Sequence, residues 1–569
     1  MRSRWQTLPV LLLVGSLVAA ACGQTATPAP APSAAAPAAA ASAPPAAPAA
    51  PAAVAGGNFR FGQSGDISAL DPWNVTDGNS LLVTRQIFET LVDYEPTGFK
   101  LVPKLATKWE ASADGKTWTF TLRDGVKFHD GTAFDAAAVV TNFDRAKFAK
   151  HELRPSKPVA DDFAYFGDMW NGFDNDSVIA KVEAKSANTV VFTLKTSFGP
   201  FLANMAMSTF GLVSPKSMKD DKDGFMLPAT KGVAGTGPFT FKPGGWLKGQ
   251  SLTLDKNADY WDTGKVGLDK VTFRFIADTA ARIAALKAGT VDAIRDFAPA
   301  DLPAVKADPN LQVIPRPAFN VAYIGVNLGI KPFDNLGVRK AVAMAINKQA
   351  IVAVIYAGEA RVASQFLVRG MVGYDESVTD FYKYDEAGAK KALADAGFPN
   401  GFETELWYMP VSPPYYPDPK KIAEAFASDL AKVGIKAALK TEDWTPYRKD
   451  ARENKFGLWL LGWTGDNGDP DNFLNVFFKP KVVDGKDTPI EAGAWSNPQA
   501  WDLLRKAAAE TDNTKRAELY KQVSKIVQTD VARIPMFHAN PPTAASKKVS
   551  GFVPHPTGGE AFTAVRLAK

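Results

Sequence analysis

The chain has 569 residues, 46% of them hydrophobic, enough for two or three domains with large cores. Setting Arg2 and Arg4 aside leaves 63 basic against 60 acidic residues with no basic run, so nucleic acid finds no electrostatic footprint here. A single cysteine excludes an internal disulfide, and the body must be held together by burial.

Arg2 and Arg4 precede the apolar stretch LPVLLLVGSLVAAA (residues 8–21), which is shorter than the ~20 residues of a membrane span. Residues 1–21 therefore read as a secretory signal peptide. Cys22 follows Ala19, Ala20 and Ala21 and precedes Gly23. That arrangement resembles the lipobox of bacterial lipoproteins, which implies that the Cys22 thiol is lipidated and becomes the mature N-terminus. The alternative is an ordinary cleaved signal with an incidental cysteine. Residues 22–57 are almost wholly alanine and proline without charge, which excludes a stable helix and predicts a disordered tether. No later run reaches the ~18 apolar residues of a second span.

From Asn58 the pattern is first strand-rich. In TWTFTL, Trp118, Phe120 and Leu122 share one face, and Asp114 with Gly115 is placed to turn a hairpin. Alternation recurs at residues 189–194, 237–241, 251–254 and 270–276. Asp278 as N-cap, Ile283 and Leu286 at helical spacing and Gly289 as terminator predict a helix after the last of these. From Val321 onward helices and strands interleave. Residues 335–356 read as a helix broken near Asn347, and Asp385 caps another. Ile422, Phe426 and Leu430 stripe a third that stops at Gly434 before the strand IKAALK. The order implies α/β units, and no fixed-period repeat is present.

The blocks GKTWTFTLRDGVKFHDGTAF, GTGPFTF followed by NADYW, VTFRFIADTAARIAALKAGTVDAI and NLGIKPFDNLGVRKAVAMAINKQAIV resemble, in order, the signature blocks of family 5 extracellular solute-binding proteins. These are receptors of bacterial ABC importers for peptides and nickel, and LWYMPV with GWTGDNGDPDNF most resembles the dipeptide-binding branch. The resemblance implies an α/β, two-lobed periplasmic-binding-protein (Venus flytrap) fold of the large class, with an extra subdomain in the first lobe and two hinge crossings. Matched blocks put the crossings near Phe319 and Asn320 and near His538 and Ala539. Lobe I is then residues 58–318 plus 538–569, and lobe II residues 319–537.

Three aspartates crowd GWTGDNGDPDN, residues 462–472. A metal site, a catalytic carboxylate and a socket for a ligand's positive group all fit such a stretch. An EF-hand does not, because Gly468 takes the third place and Pro470 stiffens the loop. The family resemblance gives Asp466 the role of accepting a peptide's α-ammonium in the cleft. Asp469 and Asp471 read as caps of turns or of the following helix. Trp463 either walls the pocket or packs in the core, and Tyr415 matches the family's PY tyrosine, a candidate pocket wall. The resemblance also exposes a departure: where the dipeptide-binding pattern has an arginine that grips the peptide carboxylate, MPVSPPYY has Pro413, with neither charge nor N–H. Lys420, Lys421 and Arg448 are the nearby cations, each also readable as a solvated surface residue. The expected ligand is thus a peptide, or another amine-bearing solute, with an altered or differently held acid end.

An enzyme would need a nucleophile with its base, a metal cluster or paired acids. His129, His151, His538 and His555 are widely separated, no HExxH, G-x-S-x-G or P-loop occurs, and GTGPF lacks the third glycine of a dinucleotide site. Neither cofactor nor metal is expected, while carboxylates paired in space stay open to a hydrolase reading. The remaining expectation is a monomeric, membrane-anchored lipoprotein of the periplasm or cell surface, serving an ABC permease with its ATPase subunits. A sensor or chaperone without transport would have the same cleft.

Overall fold

The computed structural model describes residues 53–54, 56–156, 162–378, 381–489 and 494–568. The signal peptide, Cys22 and the Ala/Pro stretch up to residue 52 lie outside them. The end of that stretch departs from a tether running to residue 57. Ala53–Val54 is a short strand antiparallel to Arg566–Ala568, and the Gly57 N–H donates to the Asp269 carboxylate at 2.8 Å. Neither Ala53 nor Val54 is proline, so both keep the N–H that an open strand edge requires.

Two large sheets organise the rest. The first has seven strands, with Asn58–Gln63 parallel to Lys270–Phe275 on one side and to Ala293–Arg295 on the other. Alternation decides its inner face. Phe59 and Phe61 are fully buried, their rings 5.1 and 5.3 Å from that of Phe562, and Phe273 and Phe552 complete the cluster. Pro542–Ser546, from near the C-terminus, enters this sheet between Ala293–Arg295 and Leu311–Pro315. A separate four-stranded sheet carries the predicted hairpin, Ala106–Ala111 and Thr117–Leu122. Asp114 closes its turn by accepting the Lys116 N–H, and Trp118, Phe120 and Leu122 are buried together.

The second sheet has six strands in the order Ala360–Val362, Ile534–Ala539, Asn320–Val326, Leu458–Thr464, Phe402–Trp407 and Ile435–Lys440. Asn320–Val326 lies within it and is buried throughout. The helices beside both sheets obey their local signals. Asp278, Asn347, Asp385 and Asp418 each accept an N–H from the first turn of the helix they precede. Asn347 also marks the break between Leu336–Ala345 and Lys348–Val354. The chain passes from the first sheet to the second between residues 315 and 320, and back between 539 and 542. Among the described residues no helix is long and apolar enough to cross a membrane.

Candidate functional site

Leu458–Thr464 runs antiparallel to Asn320–Val326 with Thr464 opposite Asn320. The acidic loop leaves this strand end and turns into the helix Asp471–Phe478. Glycine is required on the way. A Cβ on Gly462 would stand 2.4 Å from the Tyr415 ring, and one on Gly465 would stand 2.4 Å from Phe319 and 2.5 Å from Phe473. These glycines let aromatic rings lie directly on the backbone, which fixes where the loop emerges.

Beside the loop is a cavity of about 610 Å³, within the usual range for a small-molecule site. Asp466, Trp463 and Tyr415 all line it, with Tyr323 and three arginines, Arg448, Arg452 and Arg533. Pro413 is not in that wall. It forms the turn leading into Tyr415, where its carbonyl accepts the Tyr416 N–H at 2.9 Å. Lys420 and Lys421 face solvent, beside Glu424 at 4.0 Å and Asp418 at 2.9 Å.

Asp466 is held by neutral donors. The Tyr165 hydroxyl donates to one carboxylate oxygen at 2.7 Å and Asn472 Nδ2 to the other at 3.1 Å. Asn472 Oδ1 in turn accepts the Asp466 N–H at 2.9 Å and the Trp463 indole N–H at 3.1 Å, so one asparagine sets both side chains. Burial pushes the Asp466 carboxyl above the usual carboxylate range; the Tyr165 and Asn472 bonds oppose the shift, and the nearby Asp168 charge adds to it. No lysine, arginine or histidine forms an ion pair with Asp466 among the described residues.

The loop also reaches the chain segment that builds the first sheet. Tyr165 belongs to the chain of the first sheet, as do Tyr94, whose hydroxyl accepts the Gly468 N–H at 3.0 Å, and Asn204, whose Oδ1 accepts from Asn467 Nδ2 at 2.6 Å. Asp469 goes further than a turn cap. Its Oδ1 accepts the Asp471 N–H at 2.9 Å, while both its oxygens accept from the Arg516 guanidinium at 2.7 Å, with both side chains buried. Asp471 stands in the first turn of its helix and accepts from Asn475; burial and the Asp469 charge push its carboxyl up to about 6. Among the described residues no three His, Cys, Asp or Glu side chains gather where they could hold a metal ion.

A sequence model described as bacterial extracellular solute-binding proteins, family 5 Middle, matches residues 100–484. The chain belongs to this family. It is 36% identical over 520 residues to Di/tripeptide-binding protein 1 of Pseudomonas aeruginosa, covering 90% of this chain and 94% of that protein. Among solved structures, HbpA2 from Haemophilus parasuis aligns with a TM-score of 0.80 at 32% identity, over 90% of this chain and 100% of the other. The periplasmic binding protein DppA from Helicobacter pylori, in complex with the peptide STSA, aligns with a TM-score of 0.72 at 29% identity, over 91% and 99%. The two large sheets are the halves of the two-lobed periplasmic-binding-protein fold, and within family 5 the chain groups with the dipeptide-binding branch.

Three lining or supporting residues escape a reading of this family-5 sequence. Tyr165 lies 301 residues from the carboxylate it bonds, too far for any local pattern. Arg452 sits in the charged run YRKDARENK, indistinguishable from its solvated neighbours. Arg533 did carry a signal, as one charge in the apolar run VARIPMF, where a surface role is not the simplest expectation.

Proposed function

We propose that this family-5 protein is the extracytoplasmic receptor of an ABC importer. It captures peptides or related amine-bearing solutes between lobe I, residues 58–318 with 538–569, and lobe II, residues 319–537. It then delivers them to a permease driven by ATPase subunits. Cys22 carries the lipid anchor, and the working unit is a monomer.

The observation that carries this reading is the Asp466 carboxylate on a cavity of about 610 Å³, bonded by a hydroxyl and an amide and without an ion-pair partner among the described residues. A carboxylate so placed is compensated best by a charge-assisted bond from an ammonium. The name of the Pseudomonas relative, for di- and tripeptides, and the peptide held by the Helicobacter protein point to the same ligand class. Tyr165 comes from one lobe and Asp466 from the other, so ligand held at this carboxylate favours the arrangement in which the lobes meet.

Calorimetric titration with Ala-Ala tests the reading. Asp466→Asn keeps the shape and removes the charge, and is expected to weaken binding by roughly 2 to 5 kcal/mol. Undiminished binding by that variant takes Asp466 out of the site.

A further inference from the structure

The cavity holding Asp466 is bordered by one carboxylate and three guanidinium groups. Among the described residues no Asp or Glu pairs with Arg448, Arg452 or Arg533. The buried arginines among the described residues are matched internally. Arg145 pairs with Asp71, Arg295 and Arg316 share Glu560 and Asp296, and Arg282 and Arg339 donate to backbone carbonyls.

Arg533, half-buried at the head of the strand Ile534–Ala539, has no such partner among the described residues. Its guanidinium lies 5.1 Å from the ring centre of Tyr323, 5.2 Å from that of Phe477 and 5.9 Å from that of Trp459. Aromatic faces hold such a cation without accepting its edge N–H donors, which stay free for a planar acceptor. Arg448 lies 5.8 Å over the Trp444 ring, and both Arg448 and Arg452 are exposed, so they form the outer part of the wall.

We propose that the cavity selects a peptide with one ammonium and at least two acid groups, one acid held by Arg533 and the second facing Arg448 and Arg452. This rests on the reading of Asp466 as the ammonium partner. A neutral dipeptide brings one carboxylate to three guanidinium groups, whereas an acidic peptide leaves fewer charges uncompensated in the closed cleft. The role that Pro413 cannot fill thus passes to an arginine in a different strand.

Titration of the full chain with the near-isosteric pair Ala-Glu and Ala-Gln decides the matter. Ala-Glu is expected to bind at least about 10-fold more tightly, the usual scale for one additional charged hydrogen bond. Arg533→Gln should shrink that ratio toward one, and Arg533→Lys should retain part of it. Asp466→Asn should weaken both peptides by the same factor. Equal affinity of the unmodified protein for the two peptides overturns the acid preference and leaves the ammonium site standing, whereas no binding of either overturns both. Because Arg533 packs among three rings, its variants are compared only if they melt cooperatively. An undiminished ratio in a folded Arg533→Gln protein overturns the assignment to this residue.

Discussion

Asp469 and Asp466 share one loop, yet their charges are answered from different places. Around Asp469 the answer is internal: Arg516 meets both oxygens at 2.7 Å and also donates to the Ala507 carbonyl at 3.1 Å and the Tyr520 hydroxyl at 3.2 Å, all of it buried. Around Asp466 the donors are neutral, and the guanidinium groups lining the same cavity have no acid partner among the described residues. Buried charge is tolerated when its partner is supplied with good geometry and is costly when it is not. The Asp469 region is therefore complete without ligand. On the proposed function the Asp466 region is completed from outside the chain, and the contrast then separates the part of the acidic loop that shapes the protein from the part that receives a solute.

The largest effect expected from breaking this contrast is on stability. Arg516→Met removes the partner of a buried carboxylate and should cost about 3 to 5 kcal/mol in urea unfolding. Asp466→Asn in the same assay should change stability by less than about 1 kcal/mol, because it removes a charge that the fold does not pair. Equal losses in the two variants would make Asp466 a structural residue and end the distinction.

What the sequence makes legible follows the reach of each interaction. The caps at Asp278 and Asp385 join groups three residues apart, so spacing alone reveals them. The hairpin at Asp114 and the buried face of Trp118, Phe120 and Leu122 are equally local. The family resemblance points to Asp466 and Tyr415, and both line one cavity with Trp463. Asp469 read as a turn cap because its nearest bond is local, while its ion pair reaches 47 residues along the chain. The strand at Ala53–Val54 was hidden for a related reason: its pairing depends on the backbone of Arg566–Ala568, which composition does not encode.

Proton uptake sharpens the contrast at the next scale. The Asp466 carboxyl stands above its ordinary 3.8 chiefly through burial, and an ammonium binds its ionised form. Affinity for an amine ligand is therefore full above that raised pKa and falls by up to about tenfold per pH unit below it. Asp466→Asn should flatten the profile, and a profile unchanged by the substitution would place the titrating group elsewhere. Unfolding must be followed in parallel. Burial lowers His538 and His555 from 6.5 to about 4, so the unfolded chain takes up their protons first, and the stability they preserve above pH 6.5 is lost as pH falls toward 4.

The smallest effect is expected where the sequence pointed most directly. Pro413 stands at the position of the dipeptide-binding arginine, which makes Pro413→Arg the obvious way to restore affinity for free dipeptides. The turn argues otherwise: residue 413 is outside the cavity wall, and its carbonyl is engaged with the Tyr416 N–H at 2.9 Å. A guanidinium added there starts outside that wall, and reaching toward the cavity it meets repulsion from Arg448, Arg452 and Arg533 before it meets a ligand. Ala-Ala affinity should change by less than about threefold, since an exposed charge contributes little beyond ~1 kcal/mol. A gain of tenfold or more would mean that the acid end lies by the Pro413 turn after all, and would move the site's polarity from the Asp466–Arg533 axis to one running from Asp466 to residue 413.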